Sequence, residues 1–164
     1  MRFPFDLYKK MDWDIEHINS YTTNEISKGD AQVAWINTAL GDMKSAGFDV
    51  EAKNGDLYDK IEDFLRRPRS KAFYELKAEI VRFVGEYDSG EDEATKNNIG
   101  NLTLLNADIN RSYGNALFIT KRGEIIARDK MGSFIPICTK NVFLKYFDKE
   151  GSSKSVWSKG NGDY

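Results

Sequence analysis

Trp13-Asp14-Ile15-Glu16-His17-Ile18 carries the only histidine of a 164-residue chain. Its apolar residues stand two apart at first, which predicts a short core strand over 11–18 ending near His17. A second strand pattern, Gly100-Asn101-Leu102-Thr103-Leu104-Leu105, leads to Asn106, placed to cap a short helix through Asp108, Ile109, Asn110 and Arg111. A neutral imidazole near its ordinary pKa is the side chain best suited to take a proton from water at physiological pH. Asn101 opens the second strand and Asn110 lies on the helix after it, so folding that unit against the end of the first strand brings three polar side chains together. An asparagine oxygen is a neutral hard ligand, and with one carboxylate it can hold Mg²⁺ while leaving positions for water and phosphate.

Between the two strands lie three amphipathic segments: Val33, Ile36, Leu40 and Met43; Leu57, Ile61, Phe64 and Leu65; and Phe73, Leu76, Ile80, Phe83 and Val84. Steps of three and four predict helices. Asp30 and Asp56 stand at candidate N-caps, Gly47 lies beyond the first helix, and Pro68 separates the second from the third. The acidic run from Gly85 to Glu93 reads as a loop. Further helices are expected around Leu117, Phe118, Ile125 and Ile126, and from Thr139 to Phe147. Trp13, Trp35 and Trp157 are expected to serve packing, the commoner fate of large aromatics.

With 40% hydrophobic and 30% charged residues and 3 prolines, the composition fits a folded globular chain. No apolar run reaches the roughly 20 residues of a membrane helix, and Met1 to Asp6 lacks a secretion signal, so a cytoplasmic protein with no membrane contact is expected. Cys138 has no partner for a disulfide and reads as a buried thiol. The net charge of −2 conceals an asymmetry: from Arg111 to Lys149 there are eight Lys or Arg against three acids, whereas Glu86 to Glu93 holds five acids and no base. A basic stretch of this kind attracts a polyanion, although a solvated face has the same composition.

The Glu-His-Ile strand end, the Asn-Leu-x-x-Leu strand and the helix bearing Asn110 resemble, in order, the HNH nuclease family. The closest resemblance is to the C-terminal HNH domain of GmrSD-like modification-dependent restriction and phage-defence proteins, which share Arg2-Phe3-Pro4-Phe5-Asp6, Trp13-Asp14-x-Glu16-His17-Ile18 and Ile99-Gly100-Asn101-Leu102-Thr103-Leu104-Leu105. It implies an α+β, mainly helical fold: a ββα-metal (HNH) core with a helical insertion between the two core strands. The nuclease domain would span 1–150, with the core strand at 11–18, the insertion at 24–93, the second strand and helix at 99–114 and C-terminal helices at 115–149, followed by a flexible tail at 151–164.

The same resemblance implies hydrolysis of DNA phosphodiester bonds to 5′-phosphate and 3′-hydroxyl ends. His17 would be the general base and Asn101 the brace of its loop, while Glu16 and Asn110, with Asp14 as a second candidate, would hold one Mg²⁺ or Mn²⁺. Arg111, Lys121 and Arg122 are placed to meet phosphates. Ser20 stands where the family often has proline, and 83 residues separate His17 from Asn101, so the three helices read as an insertion beside the site. Target recognition would fall to a further domain in the same or a partner chain. A catalytically inactive HNH-like module that binds DNA or protein is the rival reading, and RNA is an alternative substrate, since a phosphate-centred site does not read the sugar.

Overall fold

The computed structural model describes residues 5–19, 26, 29–50, 55–84, 97–113 and 115–144. Ser20, the acidic run 85–93, Trp157 and the tail 151–164 lie outside them. A short helix, α1 (Phe5–Lys10), which the sequence patterning does not predict, precedes strand β1 (Trp13–His17). Then come α2 (Asp30–Ser45), α3 (Gly55–Arg66) and α4 (Ser70–Phe83), strand β2 (Leu102–Asn106), and helices α5 (Ala107–Tyr113), α6 (Phe118–Lys130) and α7 (Ile137–Leu144). The fold is α+β and mainly helical, with a two-stranded sheet whose strands flank the inserted helices. No helix of the described residues is long and apolar enough to cross a membrane.

Strands β1 and β2 pair antiparallel, with Trp13 opposite Asn106, Glu16 opposite Thr103 and His17 opposite Leu102. Alternation therefore gives Asp14, Glu16, Thr103 and Leu105 one face and Ile15, His17, Leu102 and Leu104 the other. Glu16, Thr103 and Leu105 are buried, whereas Ile15 is exposed, so the first face is the one that packs. Trp13 anchors α1 to β1 by stacking on Tyr8 and donating its Nε1–H to the Tyr8 carbonyl at 2.7 Å. Asn106 caps α5 as expected, its Oδ1 accepting the Asp108 N–H at 2.9 Å. Thr139 ties α7 to β2 by donating to the Leu104 carbonyl at 2.5 Å.

The inserted helices make their own core. Ile36, Ala39 and Met43 of α2, Leu57, Ile61 and Phe64 of α3, and Phe73, Leu76 and Ile80 of α4 are buried together with Leu117 and Ile119. Their spacing of three and four is what turns one stripe of each helix inward. Trp35 packs edge-on against Phe73 at 5.9 Å and donates its Nε1–H to the Asn115 carbonyl at 3.1 Å, docking the insertion at the start of α6. The second core gathers Ile18, Leu105, Ile109, Phe118, Ile125, Ile135 and Phe143. Helix α6 thus serves both cores, with Ile119 in one and Phe118 and Ile125 in the other. Phe73→Ala, at the centre of the first core, is expected to cost about 3–5 kcal/mol. Urea unfolding reads this as a lowered midpoint, and a loss below about 1 kcal/mol would show that this core does not close on Phe73.

Three local expectations are corrected. The first residue outside α2 is Gly29, not Asp30; Asp30 occupies the first turn, where its charge meets the helix dipole without a side-chain cap bond. Asp56 likewise stands inside the first turn of α3. Cys138 is exposed at the start of α7 rather than buried, because the helix turns Thr139 and Phe143 inward instead. Gly47 ends α2 as expected: at φ 81° its N–H meets the Lys44 carbonyl and that of Phe48 the Met43 carbonyl, the Schellman pattern that calls for a residue free to adopt positive φ.

Candidate active site

The end of β1 is held by one buried asparagine. The Ile18 N–H donates to the Asn101 carbonyl at 2.9 Å, and the Asn19 N–H donates to Asn101 Oδ1 at 2.9 Å. Asn101 Nδ2 donates back to the Asn19 carbonyl at 3.3 Å. A single amide carries both a donor and an acceptor, so it continues the ladder past the last strand pair and satisfies backbone groups that are buried there. Asn101 lies in a 3₁₀ turn (Ile99–Asn101) just before β2, not in the strand itself. Asn98 builds that turn, its Oδ1 accepting the Gly100 N–H at 2.8 Å and its carbonyl the Asn101 N–H at 2.8 Å. At the mouth of the same turn, Asn97 Oδ1 stands 3.2 Å from His17 Nε2. The half-exposed imidazole is thus oriented by its neighbours and open to solvent.

Glu16 is engaged. Its side chain is 7% exposed and pairs with the Lys121 ammonium of α6, whose side chain is 0% exposed. Lys121 Nζ also donates to the His17 carbonyl at 2.6 Å. Burial pushes the Glu16 carboxyl above its usual pKa, with the ammonium pulling the other way. Breaking a pair of this kind by removing one partner costs about 3–5 kcal/mol, since the other charge is left uncompensated. Lys121 is therefore not a surface cation, and the expectation that it meets a phosphate is corrected. A core position, one turn from Phe118 and one from Ile125 on the apolar stripe of α6, is the reason.

Asp14 and Asn110 come together from β1 and α5. Asn110 Nδ2 lies 3.5 Å from Asp14 Oδ2, and Arg111 Nε stands 3.9 Å from the same oxygen. The Asp14 side chain is 37% exposed and that of Arg111 73%. One open carboxylate beside one asparagine, whose amide presents its oxygen after a half-turn, suits a hard cation that keeps most of its water ligands. The donor set at Asp14 fits Mg²⁺ or Mn²⁺ better than the buried, paired Glu16. Among the described residues no group of three or more His, Cys, Asp and Glu gathers for a metal.

Of the other basic residues after Arg111, Arg122 is half-buried, and its Nε is buried with no hydrogen-bond partner among the described residues. Arg128 pairs with Glu124 at 2.6 Å and Lys140 with Asp129. The excess of positive charge that the sequence shows is thus partly neutralised within the fold. A 630 Å³ cavity between α2 and α6, lined by Trp35, Asp42 and Thr120 among others, includes none of the candidate residues. The candidate residues lie on the sheet instead, in two groups: His17 with Asn97 and Asn101 at the end of β1, and Asp14 with Asn110 and Arg111 three residues earlier on the opposite face.

Residues 68–131 match the family model of GmrSD restriction endonucleases, C-terminal domain. It is the family whose motifs the sequence resembles. The GmrSD match runs from the start of α4 through α6 and includes Asn101, Asn110, Arg111, Lys121 and Arg122, while Asp14, Glu16 and His17 precede it. Over that stretch the chain is similar to a nuclease of the restriction type. No curated protein and no solved structure matches the chain.

Two contributors to the candidate site escape the sequence patterning. Asn97, beside His17, stands in a polar stretch with no periodic signal. Lys121 does leave a trace: with Phe118 and Ile125 it follows the i, i+3, i+7 rule of a buried helix stripe, and a lysine in such a stripe calls for a buried acid.

Proposed function

We propose that this chain is a metal-dependent endonuclease of the HNH kind, hydrolysing DNA phosphodiester bonds as the effector part of a cytoplasmic restriction or anti-phage system. The observation that carries it is the Asn101 clamp, which fixes the two residues after the chain's only histidine and leaves the imidazole open to solvent. His17 takes a proton from water and so supplies the nucleophile for in-line attack on phosphorus. Asn97 orients the ring, and Arg111, exposed beside Asp14, meets a phosphate oxygen. Asp14 and Asn110 would hold a divalent cation, which when bound supplies charge neutralisation for the phosphoryl and leaving oxygens. Target recognition would rest with another domain or partner, as the family resemblance implies.

Purified chain incubated with supercoiled plasmid is expected to nick or cut it with Mg²⁺ or Mn²⁺ and to stop with chelator, and D14N and N110A each to weaken Mn²⁺ binding about 10-fold or more in calorimetric titration. Equal affinity in wild type and N110A would remove Asn110 from the ligands. The rival reading is an inactive module that keeps the fold as a scaffold. It draws on the engagement of Glu16 by Lys121, which ties up the carboxylate next to the histidine. A chain that binds DNA but leaves both plasmid and a matched RNA duplex intact would favour it.

A further inference from the structure

We propose that Lys121 is a positioning residue for His17: its buried ammonium, reaching β1 from α6, sets the backbone from which the imidazole projects. The inference rests on the nuclease reading of His17 but concerns a residue outside the His-Asn-Asn set. Lysine is almost never fully buried without a purpose-built partner. Here the ammonium has two recipients on adjacent residues, the Glu16 carboxylate and the His17 carbonyl, both from a segment more than a hundred positions away in sequence.

The placement gives the clamp its meaning. Asn101 holds residues 18 and 19, immediately after the histidine, and Lys121 holds residue 16 and the carbonyl of residue 17 itself. His17 is thereby pinned from both sides, at the point where regular strand pairing ends. The two braces hold the chain immediately before and after His17, so its Cα cannot drift. A base must lie within hydrogen-bond reach of the proton it takes, and a displacement of about 1 Å can cost on the order of 100-fold in rate.

Helix α6 is well suited to carry the brace. Phe118 and Ile125 lock its face into the core that also contains Ile18, the residue after His17. On its other side Leu117 and Ile119 belong to the core of the inserted helices. Lys121 therefore links the insertion, through α6, to the carbonyl of the candidate base. This assigns the insertion a part in the site: it seats the helix that holds the histidine's backbone.

K121M removes the ammonium while filling much the same volume. At a temperature where circular dichroism shows it folded, the expected result is a kcat lower by about 10- to 100-fold with KM unchanged. The DNA affinity and its log–log salt slope should equal those of wild type, because a buried lysine meets no phosphate. His17 is the only histidine, so its ring gives a single set of ¹H–¹³C signals, and these should shift or broaden in K121M. Folded K121M with wild-type kcat and an unmoved ring signal overturns the proposal, as does a salt slope flattened by about one unit, which marks a phosphate contact.

If K121M does not fold, the wild-type chain still decides. Its ¹⁵N spectrum should contain one slowly exchanging lysine ammonium with cross-peaks to Glu16 and His17 and no response to added DNA; a Lys121 ammonium that exchanges like surface lysines would overturn the proposal. Wild-type chain that cuts no DNA would instead count against the nuclease reading. The NMR observations stand apart from that outcome.

Discussion

His17→Ala is expected to lower kcat for DNA cleavage by about 100- to 10,000-fold, the usual worth of a positioned general base. The chain contains no other histidine to take over. Fold and DNA affinity should survive, because the ring is half-exposed and belongs to neither core. Substitutions of this kind usually change stability by no more than about 0.5 kcal/mol. Mn²⁺ affinity should also be kept, since the proposed ligands Asp14 and Asn110 lie on β1 and α5 and the imidazole is not one of them. A large kcat loss with unchanged melting and unchanged metal binding is the signature of a base. A parallel fall in metal affinity would instead make His17 a ligand.

Asn101→Ala should have the second largest effect, and of a different character. The side chain is buried and serves both the N–H and the carbonyl of Asn19, so its removal leaves buried backbone groups short of a partner, at about 1–3 kcal/mol. Stability should fall by that amount in urea unfolding. The loop after His17 would be released as well, and kcat is expected to drop about 10- to 100-fold with Mn²⁺ affinity close to wild type. Asn101→Asp keeps the acceptor for the Asn19 N–H but sets a buried carboxylate oxygen against the Asn19 carbonyl, so it should be at least as damaging as alanine. Wild-type kcat in a folded Asn101→Ala chain would show that the clamp serves the fold alone.

Much of this arrangement was legible in the order of residues. The steps of three and four in Ile36, Met43, Leu57, Ile61, Phe73 and Ile80 report which stripe of each helix turns inward, because apolar burial acts on every turn alike. The alternation around Ile15 and the helix cap at Asn106 are equally local. The pairing of Glu16 with Lys121 is not. Nothing within either segment selects the other, and a lysine counted among basic residues looks the same whether it faces solvent or core. Asp14 and Asn110 raise the same difficulty: which of two carboxylates on one strand face meets the asparagine depends on how α5 lies against the sheet. Cys138 misled for a related reason, since an apolar run does not reveal which of its members the helix turns outward.

The distribution of charge shows why a count of basic residues overstates the DNA-facing surface. Lys121 is buried, Arg128 is paired with Glu124 of its own helix, and Lys140 of α7 is paired with Asp129 of α6. Arg111 remains exposed next to the proposed ligands. Weak binding with a shallow salt dependence is expected, because counterion release scales with the number of phosphates met.

Single-turnover cleavage of a short DNA duplex labelled at both ends, started with Mn²⁺ and run on wild type and His17→Ala in parallel, tests whether His17 is the base. The expected result is 5′-phosphate and 3′-hydroxyl products from wild type, abolished by chelator and slowed at least about 100-fold in the folded variant. The same products at the same rate from folded His17→Ala would contradict the account.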